Sequence, residues 1–205
     1  MTNAAAHRKV FHRYLTEPQE KSLFTTVKQY AGIHARRDYA WMLLLRQTGI
    51  RVNPLAELTV DDARQALKSG YLHLRGETNK GGREHEVFLN TKAQAALRDL
   101  LAIRAEMGHI QEGDAPLIMS RKHQGMSVRS FQARMKAWCL AAGLDCQASP
   151  HWFRHTLAKR IMQRSTAKDP RGIVQAALGH GHIQSTLIYT LPDKEEVAAA
   201  MREAA

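Results

Sequence analysis

His151-Trp152-Phe153-Arg154-His155 is the stretch on which the reading of this chain turns. Ser149-Pro150 stands just before it, a capping side chain followed by the residue tolerated at the first helical position, so a helix is expected to open here and run to about Arg164. On such a helix His151 lies three residues from Arg154 and four from His155, which puts all three on one face. They occupy the helix start, where unpaired backbone N–H groups and the helix dipole favour an anion. Two imidazoles and a guanidinium there make a good phosphate site. The same residues would also suit a plain basic surface helix, and this stretch alone does not separate the two.

Downstream, the loop Ser165 to Asp169 leads to an expected helix from Pro170 to about Leu178, and then to Leu178-Gly179-His180, with Tyr189 following on a short helix. The charged, Ala-rich segment Asp193 to Ala205 reads as a closing helix. Upstream, Ser127 caps a helix expected to end at Gly143, and Thr91 to about Met107 reads as another. Tyr71-Leu-His-Leu-Arg75 and Glu86-Val-Phe-Leu89 alternate apolar and polar residues, with Asn79-Lys80-Gly-Gly-Arg83 between them. That pattern predicts an antiparallel pair with an exposed basic tip. Thr16 with Gln19 forms a capping-box pattern opening a helix to about Ala31. A very apolar helix from about Arg36 to Thr48 should be buried and end at Gly49, just before Ile50-Arg51. The fold class is therefore mainly α with a small antiparallel β-sheet (α+β), in one domain.

The 205 residues carry a net charge of +11, spread along the chain rather than gathered in a tail. A surplus of that size points to a polyanion, most often nucleic acid, although a basic protein with no specific partner is the plain alternative. No apolar run approaches the roughly 18 residues that span a bilayer, and the N-terminus lacks the apolar core of a secretory signal, so a cytoplasmic protein is expected. Cys139 and Cys146 are the only cysteines, too few for a zinc framework or a disulfide scaffold. His151, His155, His180 and His182 have no carboxylate or cysteine at ligand spacing, so no metal site is expected. Trp41, Trp138 and Trp152 read as packing residues rather than base-stacking platforms.

Phosphodiester chemistry needs few groups. Negative charge grows on the non-bridging oxygens in the transition state, where planar arginines fit. A nucleophile must lie in line and an acid must protonate the leaving oxygen. The ordered series Thr48-Gly-Ile-Arg51, a lysine in a β-turn, His151-x-x-Arg154-His155, Leu178-Gly-His180 and a tyrosine nine residues further on resembles the tyrosine recombinase (phage integrase) family from about Thr16 to Thr190. The resemblance implies the catalytic-domain fold of that family over residues 16–192, after a short basic lead over residues 1–15. Arg51 and Arg154 match the arginines that clamp the scissile phosphate, and His151 the histidine that moves a proton and contacts it. His180 matches a phosphate-bonding position, and His155 a supporting one. Tyr189 matches the nucleophile, which forms a 3′-phosphotyrosyl bond and releases a 5′-hydroxyl. Lys80 is taken as the hairpin lysine that protonates the leaving oxygen, with Arg83 a neighbouring competitor and a second DNA-contacting candidate.

The function so implied is site-specific DNA recombination (integration, excision or inversion) on double-stranded DNA, without metal or other cofactor. Its partners would be a homo-tetramer of the chain on DNA and accessory DNA-bending proteins. The segment 193–205 is either a plain capping helix or, as the resemblance implies, one that docks on a neighbouring protomer. Pro54 stands where the family often has an acidic residue, and Glu57 is the candidate substitute. A type IB topoisomerase-like enzyme and a non-catalytic DNA-binding protein of the same fold are the competing readings. Family members usually carry a separate N-terminal DNA-binding domain, so the sequence reads as a natural minimal recombinase or a fragment.

Overall fold

A computed structural model of the chain describes residues 13–78, 82–144, 148–179, 198 and 201–203. Lys80, Cys146, His180 and Tyr189 lie outside these residues, as does nearly all of the expected closing helix.

Eight α-helices and two strands make up the described architecture: α1 (Glu17–Lys28), α2 (Ile33–Thr48), α3 (Val52–Ala56), α4 (Val60–Ser69), β1 (Tyr71–Leu74), β2 (His85–Phe88), α5 (Thr91–Glu106), α6 (Val128–Ala141), α7 (His151–Arg164) and α8 (Pro170–Leu178). The helix starts follow local chemistry. The Thr16 side chain accepts from the Gln19 backbone N–H while the Gln19 side chain accepts from Thr16, closing the capping box. Asn90, Ser127 and Asp169 cap α5, α6 and α8 in the same one-sided way.

The structure departs from the sequence reading at several places, and helix α2 opens at Ile33, three residues earlier than expected. Helix α1 stops at Lys28, three residues early, and Tyr30 is left exposed, its ring edge-on to Trp138 at 5.3 Å. Helix α7 is not capped by the Ser149 side chain. Pro150 is its N-cap, and the Ser149 carbonyl accepts from Trp152 N–H instead. Helices α3 and α4 were not foreseen, because Pro54 and the mixed composition that follows hide the Thr59 capping box.

Helix α2 is the central element and packs against α1, α5 and α7. Trp41, Met42, Leu44 and Leu45 are fully or almost fully buried along it. Each such side chain contributes roughly 1.5–3 kcal/mol by leaving water. The strands pair antiparallel with Tyr71 opposite Phe88 and Leu74 opposite His85. Leu72, Leu74 and Val87 point into the core while Tyr71 and Phe88 meet edge-on outside. A second, small core joins α7 to α8 through Ala158, Val174 and Leu178. Among the described residues no helix is long and apolar enough to cross a membrane.

Sequence reasoning passed over the main polar node of the core. Asp38 is fully buried on α2, and its Oδ1 accepts from Arg37 and from Trp41 Nε1. Its Oδ2 accepts from Arg134 Nε at 2.5 Å and Trp138 Nε1 at 2.9 Å on α6. Two indole N–H groups and two guanidiniums thus neutralise one buried carboxylate and lock α6 onto α2.

Candidate active site

Helix α2 ends on Gly49, whose φ of 64° is the left-handed conformation that favours glycine. The position is also crowded. A Cβ there would lie 2.7 Å from Leu178 Cδ2 and 2.9 Å from Leu157 Cδ2, so a larger residue would have to push both leucine side chains aside as well as adopt that backbone. The chain then turns through buried Ile50 to half-buried Arg51, the N-cap of α3.

Arg154, on the first turn of α7, points inward and is 3% exposed. Its Nη1 donates to the Gly49 carbonyl at 2.8 Å and its Nη2 to the Leu178 carbonyl at 2.6 Å. These are the carbonyls at the C-terminal ends of α2 and α8, where partial negative charge collects. One guanidinium therefore stitches together three segments singled out in the sequence: Thr48-Gly-Ile-Arg51, His151-x-x-Arg154-His155 and Leu178-Gly-His180. His151, Arg154 and His155 all lie on the first turns of α7, and their burial differs: Arg154 is buried, His155 half-buried and His151 exposed. Arg154 turns into the protein because two helix ends need a cation.

His151 is exposed at the mouth of this junction, and its ring meets that of His155 edge-on with centroids 4.6 Å apart. The surrounding protein, then Arg154, Arg51 and Arg13, push its pKa down to about 4. Solvent at its exposed edge tempers the size of that shift but not its sign. His151 is neutral at pH 7, amid three guanidiniums. Arg13 was not picked out from sequence, where it sits in a basic lead like any other.

The hairpin meets the same junction. Gly179, with φ 62°, follows α8 and lies so close to the His85 imidazole that a Cβ would come within 2.7 Å of it. His85 Nε2 donates to the Ala177 carbonyl at 3.3 Å, which places its proton on that nitrogen. Strand β2 is thereby seated on the end of α8. Arg83 is exposed two residues before His85. His85 fell just outside the alternating stretch read from Glu86 to Leu89, and no local pattern marks a residue whose partner lies 92 positions away. Glu57 is exposed, and its backbone carbonyl accepts from Arg75.

Arg51, Arg154, His151 and His155 thus converge, while Lys80, His180 and Tyr189 fall outside the described residues. Such a gathering of cations and a neutral imidazole at a helix start is suited to an anionic phosphoryl group.

Fold and site define a mainly helical α+β domain with arginines and histidines gathered where α2, α7 and α8 meet. The chain belongs to the Phage integrase family, which matches residues 13–196. The tyrosine recombinase XerC of Neisseria gonorrhoeae is 33% identical over 170 residues, 83% of this chain and 52% of that protein. XerC of Caldanaerobacter subterraneus is 30% identical over 191 residues, 93% of this chain and 50% of that one. The chain spans about half the length of these relatives. Among solved structures, the XerA recombinase superposes with a TM-score of 0.72 at 20% identity, over 93% of this chain and 63% of that one. A lambda integrase tetramer bound to a Holliday junction gives 0.61 at 18%, over 86% and 47%. These two likenesses show the tyrosine recombinase catalytic-domain fold.

Proposed function

We propose that the chain catalyses site-specific DNA recombination by cutting and rejoining double-stranded DNA through a covalent bond to Tyr189. The observation that carries this reading is Arg154 bridging Gly49 and Leu178, because it draws three of the motif segments to one junction. Family membership over residues 13–196 supports it.

In this mechanism Arg51 and Arg154 hold the non-bridging oxygens of the scissile phosphate, and His180 adds a further hydrogen bond. The Arg154 guanidinium donates from Nη1 and Nη2 to two helix-end carbonyls, which fixes its positive charge at the junction where the phosphate would sit. Tyr189 Oη attacks phosphorus, its proton passes to His151, and the bond to the 5′ oxygen breaks. Lys80, with Arg83 as the competing residue, protonates that oxygen, leaving a 3′-phosphotyrosyl bond and a free 5′-hydroxyl. Attack by another 5′-hydroxyl reverses these steps and seals the new strand without external energy. The low pKa of His151 keeps the imidazole neutral and able to accept the proton, and the arriving phosphate raises its basicity. His155 supports the His151 ring from its edge.

Exchange between two DNA sites calls for four copies of the chain, and in this reading segment 193–205 docks on a neighbouring protomer. DNA-bending proteins would assist in bringing the sites together. The reaction places the protein with cytoplasmic DNA.

Covalent capture tests the proposal. The protein is incubated with fragmented host DNA in EDTA and denatured in SDS, and DNA still attached is sequenced. Attached DNA that disappears with Tyr189→Phe is the expected result. A protein that binds DNA yet forms no adduct would refute the enzymatic reading.

A further inference from the structure

The turn between Ile118 and Met126 is held more firmly than a connection requires. Met126 N–H donates to the Ile118 carbonyl at 2.8 Å and Ser120 N–H to the Gln124 carbonyl at 2.7 Å. His123 takes a φ of 57°, unusual for a side chain larger than glycine, with its N–H on the Ser120 carbonyl. The stem is tied to the first turns of α2, where Arg37 Nη1 donates to the Met119 carbonyl at 2.8 Å. On the other flank the His123 ring lies 5.2 Å from that of His109. A pinned turn therefore displays Arg121 and Lys122, both exposed.

Along the chain the charge beside this tip is one-signed. From residue 115 to residue 144 the sequence has Arg121, Lys122, Arg129, Arg134 and Lys136 and no Asp or Glu. The carboxylate that approaches from α2, Asp38, is fully buried and neutralised by Arg37 and Arg134. The Arg134 side chain is still 38% exposed beyond that pair. His34, on the first turn of α2, feels Arg37, Arg121 and Arg134 together, and its buried Nδ1 has no hydrogen-bond partner among the described residues. A solvated charge run kept for solubility needs neither a fixed backbone nor the exclusion of acids. A surface that meets a polyanion needs both.

This cluster is separate from the cleavage pocket. His34 and Gly49 mark opposite ends of α2, about 22 Å apart at 1.5 Å per residue. A duplex segment of about seven base pairs is long enough to reach from one to the other.

We propose that the Ser120–Gln124 tip, with Arg121 and Lys122 in front and Arg134 behind, docks the sugar-phosphate backbone of duplex DNA outside the cleavage pocket. The proposal rests on the chain being a DNA-acting enzyme, and assigns the tip to positioning the duplex without reading its sequence.

The test is binding of the full chain to a fluorescein-labelled 30-base-pair duplex of arbitrary sequence, followed by anisotropy between 50 and 200 mM salt. Wild type is compared with R121A/K122A and with R64A/K68A, which removes the same charge from the exposed face of α4. Losing two phosphate contacts lowers the slope of log affinity against log salt by about 1.8, so wild type should lose roughly tenfold more affinity than R121A/K122A across that range. R64A/K68A should keep the wild-type slope, and all three proteins should melt alike. An unchanged slope in R121A/K122A, or an equal fall in R64A/K68A, overturns the proposal while leaving the enzyme reading intact. Wild-type protein without salt-dependent binding overturns both.

Discussion

Arg154 and Leu178 are joined by a 2.6 Å hydrogen bond from a buried guanidinium to the last carbonyl of α8, although the two residues lie 24 apart in sequence. The same guanidinium holds Gly49, so its geometry fixes where Arg51 leaves α2 relative to the Leu178-Gly179-His180 segment. Arg154→Lys keeps the charge but loses the planar fork that reaches both carbonyls. Two charge-assisted bonds in a buried setting make the expected loss about 3 kcal/mol, and on the order of 10 °C in melting temperature. DNA adduct formation should disappear even well below the lowered melting point. A variant that forms adduct at the wild-type rate would show that the bridge does not organise the site.

Gly179 and His85 form the second contact that holds the junction. Gly179→Ala would force a Cβ to within 2.7 Å of the imidazole at a backbone φ of 62°. The left-handed backbone alone costs about 1 kcal/mol for alanine, and the clash adds to it. His85→Ala removes the clash along with the bond to Ala177. The double variant should therefore be more stable than the two single losses predict, with a coupling of about 1–2 kcal/mol in a denaturant-melt cycle. Additive losses would mean that the hairpin moves aside freely.

What the sequence revealed followed from how local its signals are. Gly49 at a helix end, the Thr16–Gln19 box and the alternation in Tyr71 to Leu74 are written within a few residues, and each reappears in the structure. The order of motif residues pointed to Arg51, His151 and Arg154, and these do converge. The inward turn of Arg154 was not legible, because its carbonyl partners carry no side-chain signature. Asp38, Arg13 and His85 were missed for a related reason. Trp138 and Arg134 reach Asp38 from about 100 residues away, Ala177 meets His85 from 92, and Arg13 acts on His151 across most of the chain.

Asp38 provides the sharpest test of such a hidden contact. Asp38→Asn removes the counter-charge of Arg37, whose side chain is 5% exposed, and leaves one amide facing several donors. Breaking a buried ion pair from one side costs about 3–5 kcal/mol. Differential scanning calorimetry should show the largest loss of any conservative polar substitution in α2. The tip at Ser120–Gln124 should also loosen, since Arg37 holds its stem, and amide exchange of Ser120 and Met126 reports that directly. Near-wild-type melting would mean that the two indoles and Arg134 carry the packing without the charge.

His151 predicts how stability depends on pH. Its folded pKa is pushed down from 6.5 to about 4, first by the protein packed against the inner side of its ring and then by Arg154, Arg51 and Arg13, with solvent at the exposed edge moderating the size of the shift. As pH falls below 6.5 the unfolded chain takes up the proton before the folded one does, so the folded state loses stability down to about pH 4 and is unaffected above pH 6.5. In urea melts between pH 4 and 8, wild type should weaken across that window more than His151→Asn, and the difference should vanish at pH 7 and above. Glu20 acts in the opposite direction: burial raises its pKa, so its ionisation on the way up disfavours the folded state. Because both proteins retain Glu20, it cancels in the difference. DNA should abolish the His151 effect, since a phosphate among the same guanidiniums stabilises the imidazolium. A His151→Asn protein whose stability follows the wild-type pH curve would show that the three arginines do not govern this imidazole.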